Sequence, residues 1–343
     1  CGFSDSHNCR NFDLKVFWSL GLLMVLTLTA SLPAFAAGIS EDPTYGLQYC
    51  ADKEDLSLSD LQPQPEDEAT KHEKSQYFPA NYGPALTAVV AHGLNLRPSK
   101  MADITSALKT LGAEVYQVGL PGHRGFLADD GSDPYTAWMG HLRATLCLAS
   151  QSARSKSIPL VLVGFSLSGA LYLDILGQKT EPIFKVDSMV LFAPAISLRF
   201  YSYFVKAFFL FGDEYYLNSW SPATYRWLPG AKMKHYQALF RTIDSLHHHA
   251  GPDYNIPTLV IIDPKDELVS PSGIKSFVDK HKLSNWQIKE ISNKESTLKD
   301  KIHHLVISEE AVGPSTWKQI RRDFLTHLYQ TTGLGDPPLP PGF

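Results

Sequence analysis

The sequence predicts an α/β fold with a mainly parallel central sheet and helices on both faces of that sheet. Two observations support this prediction. From Leu86 onward, short apolar segments alternate with segments of helical periodicity, and this alternation is typical of parallel strands joined by helices. A length of 343 residues with 44% hydrophobic side chains also suits one elaborated domain of this class better than two small ones.

Each expected element follows from its pattern of apolar residues. Short apolar runs predict strands over residues 86–91, 114–118, 160–163, 188–192, 258–262 and 287–291. Apolar residues at helical spacing predict helices over residues 101–111, 134–150, 272–281 and 315–329, with a further helix from Gly169. In sheets of this kind the chemistry lies at the carboxyl ends of the strands, so a functional site is expected in the loops that follow them.

The first 36 residues are predicted to hold a cleavable secretory signal. Lys15 precedes an apolar run over residues 16–29, and small residues then occupy the positions that a signal peptidase recognises, so cleavage is expected after Ala36. Because the chain opens on Cys1, residues 1 to about 13 are expected to lie upstream of the true start. The alternative is a retained membrane anchor, although the apolar run is short for a spanning helix. We therefore expect an exported protein, periplasmic or secreted.

Two of the four cysteines, Cys50 and Cys147, would remain after cleavage. In an oxidising compartment this pair can form a disulfide. Alternatively, Cys147 is a small buried hydrophobe within an apolar helix, and both interpretations stay open. The formal net charge of −4 gives no support for a nucleic-acid partner.

The remaining boundaries follow from composition. The predicted organisation is a polar, acidic N-terminal arm over 37–80, a core formed by 81–195 and 251–331, an aromatic-rich cap over 196–250, and a Pro-rich tail over 332–343. Aromatic residues are far denser between residues 200 and 240 than the chain average of 11%. They either line an apolar pocket or pack the cap onto the core, which we expect of more than half of them.

The segment Gly164-Phe-Ser166-Leu-Ser168-Gly169 lies between a predicted strand and a predicted helix. A serine at such a sharp turn has its hydroxyl exposed above the sheet, and small neighbours let the strand and the helix approach closely. The usual pattern has glycine two residues after the serine, where this chain has Ser168, so the match is near rather than complete. Ser166 is the candidate nucleophile.

A serine hydroxyl needs a base to take its proton and a carboxylate to hold that base. Asp266 follows the strand predicted for 258–262, with Asp263 nearer the strand end and Glu267 adjacent. Beyond the last predicted strand come two histidines, of which His304 is favoured over His303 as the base.

A further candidate feature is the loop His92-Gly93-Leu94 at the end of the first predicted parallel strand. Gly93 lets the backbone turn so that the N–H of Leu94 can face a reacting carbonyl, together with the N–H of Leu167. Such donors each contribute roughly 3 kcal/mol to acyl transfer. Leu94 and Leu167 are therefore the candidate oxyanion-hole residues.

With these motifs, and with the order serine, acid, histidine, the chain resembles the α/β-hydrolase superfamily, particularly its capped carboxylesterase and monoacylglycerol lipase-like branch. The resemblance covers residues 84 to about 330 and rests on His92-Gly93, Gly119-Leu-Pro-Gly122-His123-Arg-Gly125, the Ser166 turn, Asp266-Glu-Leu-Val and His304. It implies Ser166 as the nucleophile, Asp266 as the acid and His304 as the base. The chain departs from the family's pattern at two positions. Ser168 replaces the usual second glycine, at a turn that tolerates a small residue. Gly119 replaces a frequent aspartate at a structural turn.

These residues predict an exported serine hydrolase that cleaves carboxylic esters with an apolar acyl group, with no cofactor or metal. The expected partner is a small-molecule ester or lipid. The residues expected to contact it are Phe200, Phe204, Phe208 and Tyr216. Thioesterase, lysophospholipase and acyltransferase activities share this machinery and stay open, as does a non-catalytic exported binding protein of the same fold. Membrane contact through the cap depends on whether the cap has an exposed apolar face.

Overall fold

The computed structural model describes residues 75–123, 133–179 and 184–334. The predicted signal peptide, Cys50 and the chain beyond residue 334 lie outside the described ranges. These ranges contain nine strands: β1 (Gln76–Phe78), β2 (Leu86–Ala91), β3 (Ala113–Val118), β4 (Leu160–Phe165), β5 (Ser188–Phe192), β6 (Tyr216–Asn218), β7 (Gly230–Lys232), β8 (Thr258–Ile262) and β9 (Trp286–Glu290).

Seven of the strands form one sheet in the order β1-β3-β2-β4-β5-β8-β9, in which only β1 is antiparallel to its neighbour. The four central strands β2, β4, β5 and β8 are buried along their whole length, as their apolar sequences require in a sheet covered on both faces. The register pairs Ala91 with Gly164 and Phe165 with Phe192. The carboxyl ends of β2, β4 and β5 therefore meet at one edge.

The described helices are α1 (Ala102–Thr110), α2 (Pro134–Lys156), α3 (Leu167–Gly177), α4 (Met233–His249), α5 (Pro271–His281), α6 (Glu309–Val312) and α7 (Pro314–Thr332). Helices α2, α3 and α4 pack against one another, whereas α1 packs against α7. The predicted α/β class and mainly parallel sheet are confirmed. Helix α2 continues past its predicted end at Ser150 because Ala153 is still buried and Ser157, in the left-handed region, ends it.

Helix α3, which follows the predicted nucleophile, is buried on almost every side. Its carboxylate Asp174 is fully buried and accepts hydrogen bonds from the Tyr135 hydroxyl (2.9 Å), the Gln178 amide (2.9 Å) and the Ser245 hydroxyl (2.6 Å). Burial raises the pKa of the Asp174 carboxyl, and these hydrogen bonds oppose the rise. The network joins α3 to α2 and α4, so these two neighbouring helices hold α3 in place.

The last residues of the N-terminal arm predicted over 37–80 belong to the sheet instead. Its residues 76–78 form β1, the antiparallel edge strand of the sheet. The hydroxyl of Tyr77 donates to the buried carboxylate of Glu114 (2.9 Å), and the N–H of Gly119 donates to the Ser75 hydroxyl (3.0 Å). A strand of three residues has too short a pattern to be predicted from alternation alone.

Cys147 on α2 is buried and disulfide-bonded. It is the only cysteine within the described ranges, so its partner lies outside them. The structure therefore supports a disulfide at Cys147, whereas its pairing with Cys50 stays a prediction.

The cap is inserted between β5 and β8. It consists of a 3₁₀ helix over Phe200–Phe211, the hairpin of β6 and β7, and helix α4, which packs against α2 and α3. No side chain of the 3₁₀ helix is fully buried. Among the described residues, no helix is long and apolar enough to span a membrane.

Candidate active site

Ser166 lies at the sharp turn between β4 and α3 with φ 55° and ψ −112°. A non-glycine residue in this region is strained and is held only where its surroundings fix it. Here the Ser166 N–H donates to the Phe192 carbonyl (2.9 Å), and its carbonyl accepts from Gly169 N (3.1 Å) and Ala195 N (2.9 Å). The small neighbours are required, since a Cβ at Gly164 would lie 2.9 Å from Gly169 N.

Ser168, which occupies the position of the usual second glycine, is fully buried and braces the turn. Its hydroxyl donates to the Ala91 carbonyl at the end of β2 (2.7 Å) and accepts from the N–H of Phe165 (2.9 Å). The residue predicted to be merely tolerated therefore joins the ends of β2 and β4.

The structure brings Ser166, His304 and Asp266 together. His304 Nε2 lies 2.9 Å from Ser166 Oγ, and His304 Nδ1 lies 2.8 Å from Asp266 Oδ2. With Nδ1 donating to the carboxylate, Nε2 is the acceptor for the serine proton, as acyl transfer by a serine requires. Both His304 and Asp266 are buried. The second oxygen of Asp266 accepts from the N–H groups of Leu268 and Val269, each at 2.8 Å, which fixes the carboxylate plane.

The two adjacent histidines have different partners. His303 Nδ1 lies 2.9 Å from Asp263 Oδ2, so this second histidine–aspartate pair lies beside the first, whereas Ser166 is bonded by His304. Glu267 accepts the backbone N–H groups of both histidines, at 2.9 Å from His303 and 3.1 Å from His304. Sequence reasoning gave Glu267 no such role, and its only signal was its place next to Asp266.

The candidate oxyanion loop lies directly against the serine turn. A Cβ at Gly93 would be 2.8 Å from the Phe165 ring and 3.1 Å from Ser166 Cβ, so only glycine permits this approach. Leu167 is the first residue of α3, where the N–H has no acceptor within the helix. The N–H of Leu94 donates to no other described residue. Both groups thus have donor capacity next to Ser166.

His92 shapes the loop rather than carrying a proton to substrate. Its Nδ1–H donates to the Gly93 carbonyl (2.8 Å), and its Nε2 accepts from the N–H of Leu120 (3.0 Å). Both ring nitrogens are thus engaged within the protein, and they fix the loop that precedes Leu94.

The first residues of the cap hold the loop that carries Asp266. The Arg199 guanidinium donates to the carbonyls of Asp266 (2.9 Å) and Pro264 (2.8 Å), and the Tyr201 hydroxyl donates to the Glu267 carbonyl (2.5 Å). The cap is therefore bonded at its beginning to the loop that carries Asp266 and Glu267, a feature that the sequence did not indicate.

The residues expected to contact substrate lie mostly on the surface of the cap. Phe200 is 77% and Phe204 68% exposed, and Tyr216 is also exposed. Phe208 is half-buried and stacks on Tyr215 within the cap. The 3₁₀ helix presents Phe200 and Phe204 outward to solvent, and their contact with substrate stays a prediction. No group of three or more His, Cys, Asp or Glu side chains in the described part of the chain could hold a metal ion.

Comparison with solved structures bears on the fold. A metagenome-derived lipolytic enzyme superposes with a TM-score of 0.59 at 16% identity, over 76% of this chain and 98% of its own. A monoglyceride lipase from Saccharomyces cerevisiae gives 0.57 at 13% identity, over 74% and 90%. A monoacylglycerol lipase from Paleococcus ferrophilus gives 0.52 at 15% identity, over 74% and 98%. This chain has the α/β-hydrolase fold. No family model matches it, and neither does any curated protein, so the likeness lies in the architecture.

Proposed function

We propose that this protein is an exported serine hydrolase that cleaves carboxylic esters with an apolar acyl group. The observation that carries the proposal is the chain of hydrogen bonds from Asp266 through His304 to Ser166, at 2.8 and 2.9 Å, at the strand ends of an α/β-hydrolase fold. The neighbours in fold that are named as lipases and esterases support the same reaction class.

In the first half-reaction, Ser166 Oγ bonds to the ester carbonyl carbon while His304 Nε2 takes the hydroxyl proton. Asp266 stabilises the imidazolium, and the N–H groups of Leu94 and Leu167 stabilise the oxyanion. The bond from carbon to the alcohol oxygen then breaks, and His304 returns the proton to that oxygen. In the second half-reaction, water attacks the acyl-enzyme with His304 as base, which releases the acid and restores Ser166.

The decisive test compares Ser166→Ala with wild type on short and medium p-nitrophenyl esters. We expect turnover to fall roughly 10⁴- to 10⁶-fold, together with loss of labelling by a serine-directed fluorophosphonate. Ser272→Ala is the control, since Ser272 is an exposed serine on α5. Full activity of Ser166→Ala would overturn the assignment. A folded wild-type protein that takes no label would instead favour a non-catalytic binding protein.

The adjacent histidines provide a matched pair for the same assay. His304→Ala should lose activity as Ser166→Ala does, whereas His303→Ala should keep it within about tenfold, because His303 bonds Asp263 instead of the serine. Equal losses in both variants would contradict the assignment of His304 as the base. Thioester, lysolipid and acyl-acceptor series then distinguish hydrolysis of esters from the related activities.

Export is part of the proposal. The disulfide at Cys147 supports it, because disulfides form and persist in oxidising compartments. Expression of the full chain in a bacterial host should give a mature protein whose N-terminal sequence begins at Ala37. An uncleaved chain in the membrane fraction would favour the anchor.

A second candidate property is contact with a lipid surface through the cap. The exposed side chains of the 3₁₀ helix include Phe204 (68%), Leu210 (91%) and Phe211 (66%). Exposed apolar patches of this kind mark sites of interaction, and aromatic and leucine side chains are those that enter a lipid interface. We propose that this face brings the enzyme to aggregated or membrane-bound esters.

A further inference from the structure

Asn95, the residue after Leu94, has an unusual conformation for its position. It is buried to 8% exposure and its φ is 54°. Asparagine tolerates the left-handed region better than most residues, so the backbone can turn sharply here, directly after the candidate oxyanion donor. The N–H of Leu96 closes the turn on the Gly93 carbonyl at 3.2 Å.

The side chain of Asn95 bonds the cap through both of its polar atoms. Its Nδ2 donates to the Leu228 carbonyl and its Oδ1 accepts from the Leu228 N–H, each at 2.9 Å. The Asn95 carbonyl also accepts from the N–H of Trp227 at 2.9 Å. Asn95 thus makes three hydrogen bonds to Trp227 and Leu228, which lie more than 130 positions later in the chain.

The cap segment 225–228 makes one more hydrogen bond to the loop of residues 93–97 and is also bonded to Ser308 on the side away from that loop. The Arg97 N–H donates to the Tyr225 carbonyl at 2.8 Å, which extends the contact with the loop. Tyr225 is fully buried, and its hydroxyl lies 2.6 Å from Ser308 Oγ, beyond the loop of His304. Segment 225–228 is therefore held in place by Ser308, and it binds the loop of residues 93–97 through hydrogen bonds.

We propose that Asn95 is a positioning residue for the oxyanion hole, through which cap segment 225–228 sets the direction of the Leu94 N–H. The donor lies between two fixed points, since Gly93 is pressed against the Ser166 turn and Asn95 is bonded to the cap. Oxyanion donors act only when aimed at the place where charge develops, and displacement of about 1 Å can cost roughly 10²-fold in rate. The inference rests on the proposed ester hydrolysis.

The test uses Asn95→Gly, which keeps access to the positive φ while removing the amide. We expect kcat to fall about 10- to 100-fold with KM within about twofold, because the oxyanion exists only in the transition state. The affinity for an alkylboronic acid, which forms a tetrahedral adduct on the serine, should fall by the same factor as kcat/KM. Asn255→Gly is the matched control: Asn255 also accepts a backbone N–H through its side chain, from Asn285 at 2.8 Å, but at the opposite ends of β8 and β9.

An Asn95→Gly protein with wild-type kcat and boronate affinity would overturn the inference, as would a kcat loss equal to that of Asn255→Gly. If the glycine variant does not fold, Asn95→Ser decides, since it is neutral and too short to make both side-chain hydrogen bonds to Leu228. An unchanged kcat in folded Asn95→Ser would overturn the inference in the same way, and a lower kcat at wild-type KM would support it. Wild-type protein without ester turnover or fluorophosphonate labelling would instead refute the proposed function.

Discussion

The cap contains two parts that contrast sharply. At its beginning and near its hairpin, Arg199, Tyr201 and the segment 225–228 make hydrogen bonds to the loops that carry Asp266 and Leu94. Beyond Tyr201, the rest of the 3₁₀ helix Phe200–Phe211 has no fully buried side chain and makes the second part of the cap. The cap is therefore both a support for the loops that carry Asp266 and Leu94 and an exposed apolar surface. Changes at the first part should act on chemistry, and changes at the second on where the enzyme binds.

Among the variants discussed below, Glu267→Ala is expected to lose the most catalytic activity. Its carboxylate holds the backbone of His303 and His304 at 2.9 and 3.1 Å, while Asp266 holds the imidazole of His304. Glu267→Ala should lower kcat about 10- to 100-fold, because a misplaced base loses its alignment with the serine. Steady-state kinetics would measure the loss, and the downfield proton signal of the His304 Nδ1–H bond should broaden or disappear.

The control for Glu267→Ala is Glu290→Ala, which removes the same charge from an exposed position on β9 that pairs with Lys275. Its kcat should match wild type. If Glu267→Ala also retained wild-type kcat and the proton signal, the hydrogen bonds from the Glu267 carboxylate to the backbone of His303 and His304 would not be needed to align the base.

The sequence predicted the features that depend on local pattern. Strands such as 86–91 and 258–262 were predicted at their observed bounds because both faces are buried, which makes their apolar runs continuous. Ser166, Asp266 and His304 followed from strand-end motifs. Glu267 and Asn95 were given no role, because their partners lie 36 and 133 residues away in sequence. The exposure of Phe200 and Phe204 was also missed, since an aromatic run has the same composition whether it faces a pocket or solvent.

A smaller effect, on stability rather than chemistry, is expected at Ser168. Replacement by glycine restores the usual motif but removes the hydroxyl that joins Ala91 to Phe165. Ser168→Gly should lower the free energy of unfolding by about 1–2 kcal/mol, from a lost buried hydrogen bond and from glycine in a helix. Urea denaturation measures this loss. Ser155→Gly, at an exposed position of α2, gives the helix effect with the loss of only a solvent-exposed hydrogen bond to the Ser152 carbonyl. An equal loss of stability in both variants would show that the buried hydrogen bonds of Ser168 contribute nothing.

The smallest catalytic effect is expected at the exposed part of the cap. Leu210→Ser and Phe211→Ser replace side chains that are 91% and 66% exposed, so stability should change by no more than about 0.5 kcal/mol and turnover of a soluble ester should stay within about twofold. Binding to phosphatidylcholine vesicles should nevertheless weaken roughly tenfold per side chain, because each loses an apolar contact worth about 1.5–3 kcal/mol when buried. Co-sedimentation of the mature protein measures the bound fraction. Tyr82→Ser, an exposed aromatic outside the cap at 90% exposure, should bind as wild type does. If all these variants bound vesicles as well as wild type, the 3₁₀ helix would have no role at a lipid surface. The support that segment 225–228 gives to the loop of Leu94 would still stand, because it depends on other residues.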